Sequence, residues 1–262
     1  MEVVQSKAML KALVTAAKAG DPKAQCDLGN CYATGYGVGQ SAEQAVEWFR
    51  KAAEQGYAEA QFNLAVFYRA GQGVEQSMEQ AIFWYQKAAE GGYAWAQNNL
   101  GEFYYYGHGV PQSYELAVGW YKKAAEQGNI NAQISLGKCY AAGEGVEQSM
   151  EQAIEWFRKA TEHGNPEAQV FLGDCYATGE GVEQSWEQAV EWYRKAAGDP
   201  SESADSLLMW GYGSAQCRLG FCYAGGYGVE QSDEQAVKWF RMAAAQGDED
   251  AKQMLEDMGI SD

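Results

Sequence analysis

The sequence holds only four prolines and two histidines among 262 residues. With so few prolines, long helices are free to form, and the chain cannot be a proline-rich linker or a polyproline ligand. With only His108 and His163, histidine-based metal sites and Ser–His or Cys–His catalytic sets have almost nothing to draw on. Basic residues are also scarce. Nineteen Lys and Arg face thirty-six Asp and Glu, a formal charge of −17. Phosphate contacts need the opposite balance, so nucleic acid and anionic membrane surfaces are excluded as expected partners. No apolar run is long enough to span a bilayer, and Lys11 and Lys18 interrupt the stretch from Ala8 to Ala19.

What the chain has in quantity is glycine, and it is placed periodically. A thirty-six-residue stretch, GDPKAQCDLGNCYATGYGVGQSAEQAVEWFRKAAEQ, begins at Gly20 and returns at Gly56, Gly92, Gly128, Gly164 and, after an irregular stretch, Gly211. A fixed period of this size marks a repeat architecture whose units bury their apolar faces only against their neighbours. In the first copy Ala24, Leu28 and Tyr32 recur at the spacing of one helical face. Gly35 and Gly37 end that helix and turn the chain. Ser41 opens a second helix with Gln44 three residues on, a capping box, and Glu43 suits the helix dipole. Ala45, Val46, Trp48, Phe49, Ala52 and Ala53 supply its apolar face. The unit predicted is a helical hairpin.

The pattern resembles that of the Sel-one-like repeat family, relatives of the tetratricopeptide repeat. In the fourth copy it is carried by Ala132, Leu136, Gly137, Tyr140, Gly143, Gly145 and Val146, then Ala153, Trp156, Phe157, Lys159 and Ala160. The resemblance implies an all-α fold, a right-handed α/α superhelical solenoid of helix-turn-helix repeats whose first helices line a concave face. It also implies work as an adaptor in protein complexes, often in bacteria.

On this reading the chain is a single solenoid domain over 1–262. Residues 1–19 form an N-terminal capping helix, being the second half of an incomplete repeat. Repeats one to five cover 20–55, 56–91, 92–127, 128–163 and 164–198, and repeat six covers 211–246. A C-terminal capping helix covers 247–262. Residues 199–210 are an insertion that ends in Leu207, Leu208, Met209 and Trp210. These four apolar residues either fold back on the solenoid or form a secondary docking loop.

The six cysteines, at 26, 31, 139, 175, 217 and 222, have neither disulfide nor zinc-ligand spacing. They read as reduced, small apolar residues of a cytoplasmic protein, with an exported mature form left open. Trp48, Trp84, Trp120, Trp156, Trp192 and Trp239 recur in every copy and read as core.

Positions that vary between copies carry the functional information. On a helical wheel, positions three, six, ten, thirteen and fourteen after each boundary glycine turn away from the Ala–Leu–Tyr stripe. Aromatic bulk at these positions gathers in repeats two and three. The expected partner-binding residues are Trp95, Asn98, Glu102, Tyr105, Tyr106 and Phe62, with Glu59, Arg69, Asn131 and Lys138 as polar companions. Repeat three departs elsewhere too: His108 and Pro111 stand in its turn, and Gly119 inside its second helix. Leu116 replaces a capping-box Gln there, which predicts a weaker cap.

No phosphate-cradling motif is present, and the G-x-G turns recur in every copy as loop closures. The expectation is a non-catalytic, monomeric scaffold without cofactor or metal. It would bind a peptide or protein with a basic patch in the groove. Glycan or peptidoglycan-fragment binding by the aromatics of repeats two and three is the alternative, and a hydrolase is the weakest of the three.

Overall fold

The computed structural model describes residues 2–198 and 213–260, so Leu207, Leu208, Met209 and Trp210 lie outside the described residues. Among the described residues there are fourteen helices and no strand. They are α1 (Glu2–Lys18), α2 (Pro22–Thr34), α3 (Ala42–Glu54), α4 (Ala58–Ala70), α5 (Met78–Glu90), α6 (Ala94–Tyr106), α7 (Tyr114–Glu126), α8 (Ile130–Ala142), α9 (Met150–Thr161), α10 (Pro166–Thr178), α11 (Trp186–Ala197), α12 (Gly213–Gly225), α13 (Asp233–Ala245) and α14 (Glu249–Asp257). Two compact units divide at residues 132 and 133, inside α8. In the first, α2–α3, α4–α5 and α6–α7 form hairpins, and α3–α4 and α5–α6 join each hairpin to the next. In the second, α10–α11 and α12–α13 are hairpins, with α9–α10, α11–α12 and α13–α14 as the joints. Each unit is a stack of helical hairpins, and the fold is an all-α repeat solenoid.

The repeating local chemistry explains the repeating geometry. Ser41 stands at the N-cap of α3 in extended conformation, and its hydroxyl accepts from the Gln44 N–H at 3.2 Å. Glu43 takes a hydrogen bond from that same hydroxyl at 3.0 Å, and with its own backbone N–H this holds its carboxyl below the usual range. The serine N–H goes to the Tyr32 carbonyl at 2.9 Å, tying the two helices of the hairpin at their turn. This corrects the expectation for repeat three. Because the serine N–H is already used by the preceding helix (Ser113 to the Tyr104 carbonyl, 2.9 Å), Leu116 removes no cap bond, and its own N–H still reaches the Ser113 hydroxyl at 3.3 Å.

The turns carry two glycines with different tasks. Gly71 closes α4 at φ 67° with its N–H on the Phe67 carbonyl, a left-handed cap that costs a residue with a Cβ much more than glycine. Gly73 is required by packing as well as by its φ of 65°, since a Cβ there would lie 2.4 Å from the Ala42 carbonyl carbon at the start of α3. The turn of one hairpin thus rests on the backbone of the hairpin before it.

Inside the hairpins of repeats one, three, four, five and six a helical glycine admits an aromatic ring, whereas repeat two has Ala65 at that position. A Cβ on Gly101 would meet the Tyr121 ring at 2.6 Å, and Gly29, Gly137, Gly173 and Gly220 receive Phe49, Phe157, Tyr193 and Phe240 in the same way. All five rings are 3% exposed or less. The tryptophan series is less buried than its regularity suggests. Trp156 and Trp239 are buried, while Trp48, Trp84, Trp120 and Trp192 are half-buried. Trp48, Trp84 and Trp120 pack against the edges of the buried core clusters, and Lys51, Lys123, Lys159 and Lys195 lie 3.8–4.1 Å over the rings of Trp48, Trp120, Trp156 and Trp192.

Candidate functional site

The first helices of the hairpins start from an acceptor side chain where the sequence supplies one: Asp21, Asn129, Asn165 and Asp248 accept from Ala24, Ala132, Ala168 and Ala251. Repeats two and three give this up. Tyr57 and Tyr93 occupy the N-cap positions of α4 and α6 without a side-chain cap, where an Asn, Asp or Ser contributes about 1 kcal/mol. The two tyrosines do other work. Tyr93 packs its ring 5.2 Å from Phe62, and the Tyr57 hydroxyl reaches Glu59 at 3.3 Å.

On α6, Trp95, Glu102 and Tyr106 fall on one stripe, being seven and four residues apart. Trp95 is 52% and Tyr106 60% exposed, while Glu102 is half-buried between them. Tyr106 is backed by Tyr105 at 4.8 Å and by the His108 ring, stacked at 5.5 Å. Tyr105 is half-buried and also rests against Tyr114 at 5.1 Å. Asn98 donates through Nδ2 to Glu102 Oε1 at 3.1 Å. Arg69 at the end of α4 is exposed, and Glu59 at its start is half-buried.

The wheel reading and the structure part company at position six. Asn98 is 2% exposed, and Cys26, Ile134, Val170 and Cys217 at the same position are 6% or less. Phe62 is half-buried against Tyr85 and Tyr93. Position six is therefore interior, because a first helix in a stack touches its own partner and also the hairpins on either side. The outward stripe runs through positions three, seven, ten and fourteen, so position seven was missed. It holds Asp27, Asn63, Asn99, Ser135, Phe171 and Arg218, none of them buried. The signal available in sequence was their variability in type.

Of the remaining expected residues, Asn131 is exposed at the start of α8. Lys138 belongs to the second unit and pairs with Glu167 at 2.5 Å. In that unit Asp174 is gripped by Arg218, Nε to Oδ1 at 2.5 Å and Nη2 to Oδ2 at 2.8 Å, and accepts the Tyr193 hydroxyl at 2.7 Å. Burial and the Asp174 charge push the Tyr193 hydroxyl well above the ordinary phenol value.

All six cysteines are free, five buried and Cys31 half-buried. Burial pushes the thiols of Cys26, Cys139, Cys175 and Cys217 up to about 12. Such thiols are poor nucleophiles. Among the described residues no group of three or more His, Cys, Asp or Glu could hold a metal, and no helix is long and apolar enough to cross a membrane.

A stack of helical hairpins with varied side chains along its first helices is the build of a repeat solenoid. The Sel1 repeat pattern matches residues 22–57, 58–93, 96–129, 130–165, 166–198 and 213–248, and the chain belongs to the Sel1 repeat family. Sel1 repeat proteins are commonly protein-interaction scaffolds and generally non-catalytic. Comparison with curated proteins finds no match.

Among solved structures, a Sel1 repeat protein from Oxalobacter formigenes is 34% identical over 92% of this chain and 92% of its own, with a TM-score of 0.75. A protective antigen present in uropathogenic Escherichia coli strains, displaying an SLR fold, is 35% identical over 94% of this chain, with a TM-score of 0.72. This chain spans 58% of that antigen's length. Pseudomonas aeruginosa pilF, at 21% identity and a TM-score of 0.57, shares the fold.

Proposed function

We propose that the protein is a non-catalytic scaffold that takes a peptide or protein partner on the first-helix face of repeats two and three. The observation that carries this reading is the pair Trp95 and Tyr106, more than half exposed on one stripe of α6 with a carboxylate between them. Large aromatic anchors beside a few fixed polar groups are what dominate protein-binding hot spots. The surrendered caps of α4 and α6 and the buried Asn98 fall in the same two repeats. These are local losses that a binding role offsets. A net charge of −17 favours a partner with a basic patch and an association rate that drops with salt. Six free thiols favour a reducing compartment.

Peptides selected from a random phage-displayed library on the immobilised protein test the reading. Because Trp95 and Tyr106 are surface residues, the double variant Trp95→Ala/Tyr106→Ala keeps its helical circular dichroism and its melting transition. Selected peptides are expected to lose about tenfold or more in affinity for it. Peptides that bind both proteins equally, or a selection that yields none, would sink the assignment.

A further inference from the structure

Position ten of the first helix carries a charge in three repeats: Glu102, Lys138 and Asp174. The other three hold Asn30, Val66 and Phe221. Two of the three charges are answered from within the chain by the first helix of the following repeat. Lys138 takes Glu167 at 2.5 Å, and Asp174 takes the guanidinium fork of Arg218 together with the Tyr193 hydroxyl. Glu102 has the corresponding tyrosine, Tyr121, buried at the position of Tyr193. It has no cationic partner among the described residues, and the following repeat holds Ser135 where repeat six holds Arg218.

The Glu102 carboxylate is nevertheless held in place. Asn98 donates to its Oε1 at 3.1 Å from a position that is apolar in the other five repeats, where Cys26, Phe62, Ile134, Val170 and Cys217 stand. Asn98 is 2% exposed, and its own carbonyl oxygen has no hydrogen-bond partner among the described residues. A buried polar atom left unbonded is destabilising, so a stack selected for stability alone has no use for an amide here. What the amide supplies is a carboxylate of fixed orientation, unneutralised, on the stripe shared with two exposed aromatics.

We infer that Glu102 is a seat for an arginine side chain of the partner, filled in trans as Arg218 fills Asp174 in cis. This rests on the partner-binding face assigned to repeats two and three. The guanidinium suits the seat because its rigid fork pairs with both oxygens of an oriented carboxylate, as at Asp174, whereas an ammonium is a point donor. Trp95 adds an aromatic face that, unlike Trp48, Trp120, Trp156 and Trp192, carries no lysine among the described residues. Asn98 is a positioning residue and acts through Glu102.

Peptides from the selection on the wild-type protein are synthesised with arginine, citrulline or lysine at each basic position, and their affinities are measured by fluorescence polarisation. The wild type, Glu102→Gln and Asn98→Leu are compared, each checked for an unchanged helical spectrum. At one position, citrulline weakens binding to the wild type by about tenfold or more but to Glu102→Gln by less than about twofold. Asn98→Leu weakens the arginine peptide and leaves the citrulline peptide unchanged, whereas equal losses of both would make Asn98 merely structural. Peptides that need Trp95 and Tyr106 but tolerate citrulline everywhere overturn the arginine seat and leave the binding face standing. Lysine binding as tightly as arginine overturns the preference for a guanidinium. Peptides indifferent to Trp95 and Tyr106 overturn both readings.

Discussion

Gln127 donates through Nε2 to Gln97 Oε1 over 2.7 Å, thirty residues back along the chain, while Gln97 donates to the Ala89 carbonyl at 3.1 Å. The same relay links Gln55, Gln25 and the Ala17 carbonyl, and Gln246, Gln216 and the Ala197 carbonyl. A buried glutamine at position five thus satisfies a carbonyl at the end of the preceding second helix and is itself satisfied from the end of its own. Hydrophobic contact alone lets helices slide, whereas a directional bond sets one register.

Gln97→Met is expected to destabilise the first unit by about 0.5–1.5 kcal/mol, since it removes two side-chain bonds, while the Ala89 carbonyl keeps the Gly92 N–H at 3.1 Å and Gln127 keeps the Lys123 carbonyl at 3.2 Å. Gln61→Met gives a smaller loss. Gln61 bonds the Ala53 carbonyl at 3.1 Å, but Gly91 stands where Gln127 stands in the next repeat. Urea unfolding of the two variants, side by side, checks both the size and the order.

Two glycines of one unit respond to alanine in opposite directions. Gly73→Ala combines a φ of 65° with a Cβ driven to 2.4 Å from backbone atoms of α3, and a loss of about 2–4 kcal/mol follows. Gly119→Ala fills open space on an exposed, ordinary helical turn of α7. It is expected to stabilise by about 0.5–1 kcal/mol. Thermal melts decide the two signs at once.

The thiols make the fold sensitive to alkali. Four cysteines move from an ordinary value of 9.0 to about 12 on folding, and Cys222 to about 11. The folded chain therefore keeps protons that the unfolded chain releases. Their contribution to stability is complete below pH 9, and it drains away as the pH climbs through the folded values near 11 to 12. The raised hydroxyl of Tyr193 acts in the same direction. The urea midpoint in the presence of reductant should fall between pH 8 and pH 10.5, and Cys139→Ala should flatten that slope. In the native protein at pH 8, a thiol reagent is expected to modify half-buried Cys31 first. All six thiols become reactive only in denaturant.

Removing Arg218 leaves Asp174 with the Tyr193 hydroxyl alone. Because both charged side chains are nearly 40% exposed, the loss from Arg218→Ala is expected to be about 1 kcal/mol, less at high salt. Hydrogen exchange should quicken in α12 and α13 and stay unchanged in α2 to α7. Equal acceleration in both units would show that the pair does not act locally.

The period, the hairpins and their boundaries were legible in the sequence, because Ser41, Gly35, Gly37 and their counterparts act through bonds spanning only a few residues. Contacts between successive repeats were not. A helical wheel drawn for one helix assigns Asn98 and Cys26 to the outside, since it counts only the partner within the hairpin. Stacking adds a neighbour on each side and closes position six. The glutamine relay was hidden for the same reason: Gln97 reads as one more polar residue until Ala89 and Gln127 converge on it. The Trp95, Glu102 and Tyr106 stripe was visible as variation against a regular background. The grip of Arg218 on Asp174 joins residues forty-four apart across residues 199–212, and no local rule connects them.

The position-five glutamine recurs in all six repeats, and in Gln25, Gln61, Gln97 and Gln216 its side chain bonds a carbonyl at the end of the preceding second helix. Adding or deleting one whole unit therefore creates no joint that the array does not already contain. The number of hairpins can change by exchange between copies without any new interface having to be invented. Singular side chains such as Asn98 and Glu102 are then free to diverge in one copy while the rest hold the stack.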